Sequence, residues 1–198
     1  MPLETLPPWF VRVNLVVFGL LWGSFLNVVI HRVPLGQSVV RPASRCPACK
    51  KPIRPWDNIP VLSFLILRGK ARCCGASLSP RYPLIELIGG VLSLCVYELL
   101  VRPLPYGTPL YHMAAVYTAS FALSMGLVAA AFIDLEHMIL PDSITYGGAV
   151  LGFATASFRA MSLLESALGA AAGFLMVWLP FIVIYPKIRS GKVGMGMG

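Results

Sequence analysis

Charged residues are scarce in this sequence. Only 12% of its 198 residues are Asp, Glu, Lys or Arg, whereas soluble domains carry roughly 25%, and only 8 residues are acidic. Hydrophobic residues make up 57% of the chain, and the mean hydropathy is +0.77. This composition excludes an ordinary soluble domain and predicts a membrane protein.

Long apolar runs account for much of the chain. Five of them approach or reach the roughly 17–25 residues that a helix needs to cross hydrocarbon. The first run lacks the basic start and the small-residue cleavage site of a signal peptide, so we interpret it as a membrane anchor. No strand-like alternation suggests a barrel, so the predicted fold is all-α, a polytopic transmembrane helical bundle. The five predicted spans are 13–30, 84–101, 113–133, 144–158 and 163–184.

The basic residues predict how the bundle is oriented. The net charge of +8 would suit a nucleic-acid partner, but ten of the sixteen Lys and Arg lie within residues 32–82 and three more follow the fifth run. Cytoplasmic loops are rich in Lys and Arg. We therefore predict a multi-pass membrane protein with the N-terminus outside and the loop at 32–82 in the cytoplasm. Its predicted partner is the lipid bilayer and not nucleic acid.

Residues 32–82 differ in composition from the rest of the chain. This stretch is rich in proline and holds four of the five cysteines, so it cannot form a long helix. A segment of this size with few large apolar groups often needs a metal or a disulfide to fold. We divide the chain into a first transmembrane segment (1–31), a Cys-rich loop module (32–82) and a transmembrane core (83–198).

The four cysteines of the loop module are candidate zinc ligands. Cys46 and Cys49 form a C-x2-C pair, and Cys73 and Cys74 follow, which approximates the two thiolate pairs of a zinc ribbon. Disulfides are disfavoured in the cytoplasm, which favours a metal. Unligated thiols are the alternative interpretation, because two adjacent cysteines strain a tetrahedral site more than a C-x2-C pair does.

The third apolar run ends in "FIDLEHMILPD", which brings four ionisable residues to the membrane surface. Such groups are costly at that depth unless they face a polar cavity or a partner, so they are functional candidates. Asp134 is the deepest of them. Two neighbouring carboxylates that share one proton can hydrolyse an amide: one takes a proton from water while the other polarises the carbonyl. The four residues are Asp134, Glu136, His137 and Asp142.

Helical spacing separates the roles of these four residues. If the third helix continues, Asp134 and His137 share a face and Glu136 points away. We predict a catalytic role for Asp134 and interfacial solvation for Glu136 and His137. Asp142 follows a proline and is expected to cap the fourth span.

Four ordered motifs resemble the bacterial type IV prepilin peptidases, which are membrane aspartyl proteases of the GxGD type. The resemblance covers nearly the whole chain and identifies it as a member of that family. The matching stretches are "GSFLNVVIHRVP", "CPACKKPIRPWDNIPVLSFLILRGK", "SPRYPLIELIGG" and "FIDLEHMILPD".

The resemblance implies a catalytic pair of which Asp134 is the first member. The second belongs to a Gly-x-Gly-Asp motif whose first three positions match Gly196-Met197-Gly198. Gly196 and Gly198 are therefore expected to approach the substrate. The resemblance further implies that the intact protein continues with the second aspartate, so that the 198-residue chain is C-terminally incomplete and inactive by itself.

The resemblance also implies a location in the bacterial inner membrane, together with substrates and cofactors. Prepilin or pseudopilin substrates carry a short basic leader, a glycine at the cleavage point and then a hydrophobic helix, so the bond to be cut lies at the cytoplasmic membrane surface. Many members also methylate the new N-terminus with S-adenosylmethionine. Zinc is the expected metal, although this chain has Ala71 where the family usually has a cysteine. The methylation cannot be read from the sequence, which has no nucleotide-binding fingerprint.

Two other functions fit the residues taken without the resemblance. The acids would line a pore in a transporter or proton-relay protein, and the cysteine loop would dock a partner in a non-catalytic membrane scaffold.

Several polar and small residues within the spans have structural interpretations. Asn27 and Ser24 are expected to hydrogen-bond between helices, and Gly19 and Gly23 to support close helix packing. Glu86 is expected to pair with Arg81 or to lie at the membrane interface.

Overall fold

The computed structural model describes residues 6–159 and 161–179 and divides into two compact units, residues 1–151 and 152–198. The described residues form helices and turns and contain no strand beyond two isolated bridges. The α-helices are α1 (Pro8–Arg32), α2 (Leu62–Ile66), α3 (Arg81–Val96, continued by a π-helix at Tyr97–Val101), α4 (Leu110–His137), α5 (Asp142–Ala154) and α6 (Leu163–Leu179).

Three of the described helices are long and apolar enough to cross a membrane: Pro8–Arg32, Arg81–Val101 and Leu110–His137. They confirm the first three predicted spans and the all-helical fold class. Proline sets where each of them begins, because it lacks a backbone N–H and suits the first turn of a helix. Pro7, Pro80 and Pro109 each immediately precede one of the three.

The fourth and fifth predicted spans are only partly supported. The fourth, expected over 144–158, is the 13-residue helix α5, which is shorter than the roughly 17–25 residues that a crossing needs. The described part of the fifth is α6, a helix of 17 residues. Positions 180–184 of the fifth predicted span lie outside the described residues.

Glycine allows α1 and α3 to pack with their backbones in direct contact. A Cβ atom added to Gly23 would lie 2.6 Å from the Cα atom of Glu86, and one added to Gly19 would collide with the carbonyl oxygen of Gly89. Small residues permit this close approach between transmembrane helices. The predicted packing role of Gly19 and Gly23 is thus confirmed.

The three long helices alternate in direction. Arg12, near the start of α1, binds Glu98 near the end of α3 through an Nε–Oε1 contact of 2.6 Å. At the other end of the pair, Asn27 Nδ2 of α1 donates to the carbonyl oxygen of Tyr82 in α3 at 3.1 Å. Helices α1 and α3 are therefore antiparallel, and Asn27 has the interhelical hydrogen bond expected of it.

Helix α4 joins this pair through apolar packing and a buried hydroxyl. Ser93 Oγ of α3 lies 2.7 Å from the Tyr117 hydroxyl of α4 and donates to the carbonyl oxygen of Leu15 in α1 at 2.5 Å. The start of α3 contacts the end of α4 through Arg81 and Glu136. The buried apolar cluster of this unit consists of Leu26, Ile30, Ile85, Val96, Phe121, Met125, Ala129 and Ile133.

These contacts place the ends of α1 and α4 and the start of α3 on one side of the three-helix group. The loop module connects α1 to α3, so it emerges on that same side. Asp134 lies in the last turn of α4, also at this end. The topology therefore brings the cysteine cluster and the acidic segment to one end of the three-helix group, although they are far apart in sequence.

Candidate functional site

Four sulfur atoms of the loop module converge. The Sγ atoms of Cys46, Cys49, Cys73 and Cys74 all lie within 4.8 Å of one another. Cys46 and Cys74 are 3.7 Å apart, and Cys49 and Cys73 are 3.1 Å apart. Since Zn–S bonds are about 2.3 Å long, a tetrahedral site needs S···S separations of roughly 3.8 Å. The cluster therefore fits a zinc ion with only small adjustments.

Backbone hydrogen bonds shape the loop that carries the first cysteine pair. The Cys46 N–H donates to the Lys51 carbonyl at 2.9 Å, and the Lys50 N–H donates to the Cys46 carbonyl at the same distance. An isolated bridge between Arg45 and Pro52 closes the loop. Lys50 takes a positive φ of 59°, which lets the chain reverse directly after Cys49.

The second cysteine loop repeats this pattern. The Ala71 N–H donates to the Ala76 carbonyl and the Gly75 N–H donates to the Ala71 carbonyl, both at 2.8 Å. Lys70 and Ser77 form the matching bridge, and Gly75 has a φ of +70°.

This shared pattern aligns the two loops residue by residue. Ala71 stands where Cys46 stands in the first loop, and Cys74 stands where Cys49 does. Cys73, two positions further along than Ala71, supplies the fourth sulfur. The backbone of the second loop therefore has the same hydrogen-bond pattern as that of the first. Its cysteine spacing differs from C-x2-C because Ala71 occupies the position of the first cysteine.

The cysteine loop also perturbs its own thiols. Hydrogen bonding by the backbone N–H groups of Cys49 and Ala48 lowers the pKa of the Cys46 thiol to about 6. The contact with the Cys49 sulfur, together with burial, favours the protonated form of Cys73 and raises the pKa of its thiol to about 12. The Cys46 thiol is thus readily ionised, while the Cys73 thiol resists further negative charge. A divalent cation would remove that resistance and release protons as it bound.

The acidic segment forms the C-terminal end of α4. The helix continues to His137 and ends at Met138, whose left-handed conformation lets its N–H donate to the Asp134 carbonyl at 2.8 Å. Asp134 and His137 therefore share one helical face, as predicted. Asp134 is exposed among the described residues, so its carboxyl group is available to water or to a substrate.

Two acids near this end have partners that the sequence did not indicate. Glu136, predicted to be solvated at the interface, is exposed and also forms an ion pair with Arg81. Of the two alternatives for Glu86, pairing with Arg81 is not observed: Glu86 accepts the Val61 N–H at 2.7 Å and is only 9% exposed. Sequence reasoning missed this buried carboxylate as a functional candidate. The available signal was its place in the first turns of an otherwise apolar span.

The other predicted residues are less informative. Asp142 was expected to cap α5 from the position before the helix. It is instead the first residue of the helix, and Pro141 precedes it. A carboxylate at this position is still stabilised by the positive N-terminal end of the helix dipole. Gly196 and Gly198 lie outside the described residues.

Comparisons with known proteins agree on one family. The sequence model of the Bacterial Peptidase A24 N-terminal domain matches residues 17–99, and that of the Type IV leader peptidase family matches residues 121–198. Together the two matches include the cysteine loop and the acidic segment.

Several curated proteins named "Prepilin leader peptidase/N-methyltransferase" are similar to this chain. The protein from Stutzerimonas stutzeri is 40% identical, over 92% of this chain and 67% of its own length. The protein from Myxococcus xanthus is 46% identical, over 98% and 56%, and that from Klebsiella pneumoniae is 39% identical, over 93% and 78%. The chain thus spans between about half and four fifths of these relatives. No solved structure matches it.

Proposed function

Because this chain belongs to the type IV leader peptidase family, we propose that it acts as a membrane-embedded aspartyl endopeptidase on prepilins or pseudopilins. The observation that carries the proposal is the place of Asp134, an exposed carboxylate in the last turn of an apolar spanning helix. A substrate whose hydrophobic helix lies in the bilayer would present the bond that precedes this helix at the same depth. The family match favours peptidase function over a transporter or a scaffold.

In the proposed mechanism Asp134 is one of two acids. One carboxylate takes a proton from the attacking water, and the other, protonated, polarises the carbonyl of the bond to be cut. We expect the second acid from the Gly-x-Gly-Asp motif that begins at Gly196-Met197-Gly198. Gly196 and Gly198, which lack side chains, would let the substrate backbone approach closely.

The proposal includes an orientation. The loop module at 32–82 carries ten of the sixteen Lys and Arg residues, against one acid, Asp57. Such loops remain in the cytoplasm and are attracted to anionic lipid headgroups. The module and Asp134 lie at the same end of the helix group, so cleavage would occur at the cytoplasmic face of the inner membrane, with the N-terminus outside.

We further propose zinc as the metal of the loop module, held by Cys46, Cys49, Cys73 and Cys74. When bound, it would cross-link the two cysteine loops. Its role would be structural, because the four sulfurs complete the tetrahedron and leave no open position for a substrate. The module then needs no large apolar core to hold its shape.

Methylation of the new N-terminus forms a second part of the proposal, supported by the names of the relatives. S-adenosylmethionine, when bound, would supply the methyl group. One of the cavities beside the loop module, between it and the ends of α1 and α3, has a volume of about 200 Å³, less than the roughly 300–1,000 Å³ of pockets for drug-sized ligands. This cavity does not fit the whole donor, so we assign it no step of the transfer.

The test is Asp134→Asn in the product of the complete gene. Loss of a proton-handling group should reduce leader cleavage by roughly 10²–10⁴-fold, measured as the mobility shift of a co-expressed prepilin from the same genome. Asp142→Asn is the matched control, an acid eight residues further along that we place in the first turn of α5. Normal cleavage by Asp134→Asn, at equal membrane insertion, would remove Asp134 from the mechanism.

A further inference from the structure

A cavity of about 200 Å³ lies between the loop module and the ends of α1 and α3. At roughly 30 Å³ per water molecule it has room for six or seven waters, or for one large amino-acid residue. Ser24 and Asn27 of α1 and Glu86 of α3 line it from the helix side, and Phe64 and Leu67 line it from the module. The helix wall is therefore polar at Ser24, Asn27 and Glu86, while the module side combines apolar residues with polar ones such as Asn58 and Ser63.

The helix wall contains a buried carboxylate without a positive partner. Glu86 is 9% exposed, and its carboxylate accepts hydrogen bonds from the Val61 N–H, at 2.7 Å to Oε2, and from the Ser24 hydroxyl. Within the described part of the chain it forms no ion pair, since Arg81 binds Glu136. An ionised carboxylate offers about four acceptor positions, so about half of those on Glu86 are available to a donor that enters the cavity.

Val61 is held in an unfavourable conformation to make this hydrogen bond. Its φ is +61°, a region that β-branched residues very rarely adopt. Such strain persists only where the surrounding structure imposes it, and it is concentrated at functional sites. Here it directs the Val61 N–H at Glu86 and so fixes the orientation of the carboxylate.

The same wall holds a second unused acceptor. Asn27 is 6% exposed, and its Nδ2 donates to the carbonyl oxygens of Gly23 and Tyr82. Its Oδ1 is buried and has no hydrogen-bond partner among the described residues. Buried polar atoms are rarely left unpaired. Glu86 and Asn27 thus both present acceptors, which calls for a ligand that donates several hydrogen bonds.

The basic side chains that line the cavity lie nearer to solvent. His31 and Arg45 are exposed, and Arg32 is half-buried with its guanidinium donating to the carbonyl oxygens of Ser38 and Pro42. The other acid on the lining, Asp57, is paired with Arg72. A positive group is therefore favoured at the buried wall, and a carbonyl or carboxylate at the rim.

We propose that this cavity binds a protonated α-amino group carried by an apolar residue, namely the new amino end of the cleaved substrate. The inference rests on the proposed function, which supplies such an end when a leader is removed before a hydrophobic helix. The ammonium group donates to Glu86 and Asn27, and the apolar side chain packs against Phe64 and Leu67. The site would hold the mature product by its first residue after the leader departs.

Calorimetric titration of the purified protein in nanodiscs tests this inference without any cleavage assay. The probe is phenylalanine amide, which has an ammonium group and an apolar side chain but no carboxylate. N-acetylphenylalanine amide keeps the shape and removes the charge. We expect the acetylated probe to bind at least roughly tenfold more weakly, because a hydrogen bond to a charged group is lost. Equal binding of the two probes, or binding of neither, would overturn the inference.

Glu86→Gln gives the matching test on the protein side. The variant keeps an acceptor for the Val61 N–H but loses the charge, so we expect phenylalanine amide to bind at least roughly tenfold more weakly. Glu98→Gln is the control, since Glu98 binds Arg12 and Arg102 at the other end of α3. If Glu86→Gln does not fold, the comparison of the two probes on the unmodified protein still tests the inference. Unchanged binding by a folded Glu86→Gln would show that Glu86 is not the anion.

Two further probes separate the sources of a cation. Ethanolamine binding as tightly as phenylalanine amide would indicate a lipid headgroup site, and competition by S-adenosylmethionine at equal concentration would indicate the methyl donor. Either result overturns the assignment to the peptide end. Failure of leader cleavage by the unmodified protein would refute the proposed function and leave the binding result standing. Cleavage without binding would refute this inference alone.

Discussion

The α1–α3 helix pair and the cysteine module are held together in opposite ways. In the helix pair the contact depends on missing side chains, because Gly19 and Gly23 let two backbones touch. In the module the contact depends on four side chains whose sulfurs converge. In lipid, apolar surfaces gain little by meeting each other, so close packing must provide the stability. The module has few large apolar groups, and the zinc proposed for it would act as a cross-link.

The largest expected effect comes from removing the cross-link. Cys46→Ser should abolish zinc binding, because Cys46 is the buried member of the cluster. Structural zinc contributes roughly 10–16 kcal/mol in small zinc-binding peptides. We expect metal content to fall from one zinc per chain to nearly none and the module to become sensitive to proteases, while helical circular dichroism is retained.

The control for this change is Cys95→Ser, since Cys95 is exposed on α3 and lies outside the cluster. It should leave the zinc content at one per chain. A zinc content near zero in fresh, reduced, unmodified protein would instead show that the four cysteines are ordinary thiols.

The next largest effect should come from filling the helix contact. Gly19→Leu forces a side chain into the space occupied by the Gly89 carbonyl and the Ser93 Cβ. Overpacking typically costs about 1–3 kcal/mol, and more where backbone must move. Thermal unfolding in nanodiscs should therefore occur at a clearly lower temperature. Gly126→Leu is the matched control, because a side chain there meets nothing within 4 Å. Equal effects of the two changes would contradict the packing argument.

A smaller effect should come from completing the second cysteine loop. Ala71→Cys places a thiol at the position that corresponds to Cys46, so it should make zinc harder to remove with a chelator. The added thiol should also replace Cys73 as a ligand. The single variant Cys73→Ser should therefore lose zinc, and the double variant Ala71→Cys with Cys73→Ser should retain it. Loss of zinc from the double variant would show that the two loops are not aligned as their hydrogen bonds indicate.

The smallest effect is expected for the ion pair between α3 and α4. Arg81 and Glu136 have partly exposed side chains, at 25% and 31%, and exposed pairs contribute about 0–1 kcal/mol. A double-mutant cycle with Arg81→Gln and Glu136→Gln should give a coupling free energy within that range, and the swap Arg81→Glu with Glu136→Arg should restore stability. A coupling several times larger would mean that this contact holds α4 in place.

The sequence predicted the spanning helices and the cysteine cluster well because each rests on a local signal. Apolar length determines whether a helix can cross lipid, and Pro7, Pro80 and Pro109 mark where the three long helices begin. The C-x2-C spacing of Cys46 and Cys49 identified them as candidate metal ligands. The fourth span was less predictable, because its apolar run includes Ser157 and Phe158, which lie beyond the end of α5.

The partners of charged residues could not be read in the same way. Pairing with Arg81, five residues away on the same helix, was one of two expectations for Glu86, but Arg81 binds Glu136 on another helix. The choice depends on how α3 and α4 are packed, which no local pattern records. The same packing buries Glu86 and leaves Asn27 Oδ1 without a partner.

By itself the sequence determined that this protein lies in a membrane, where its first three apolar spans are and which cysteines are candidate ligands, because these depend on composition and short spacing. Only the tertiary structure decided that Arg81 binds Glu136, that Val61 is strained against Glu86, and that a cavity forms between the loop module and the ends of α1 and α3. Those features arise from contacts between segments distant in the chain, and such contacts exist only after the helices have packed.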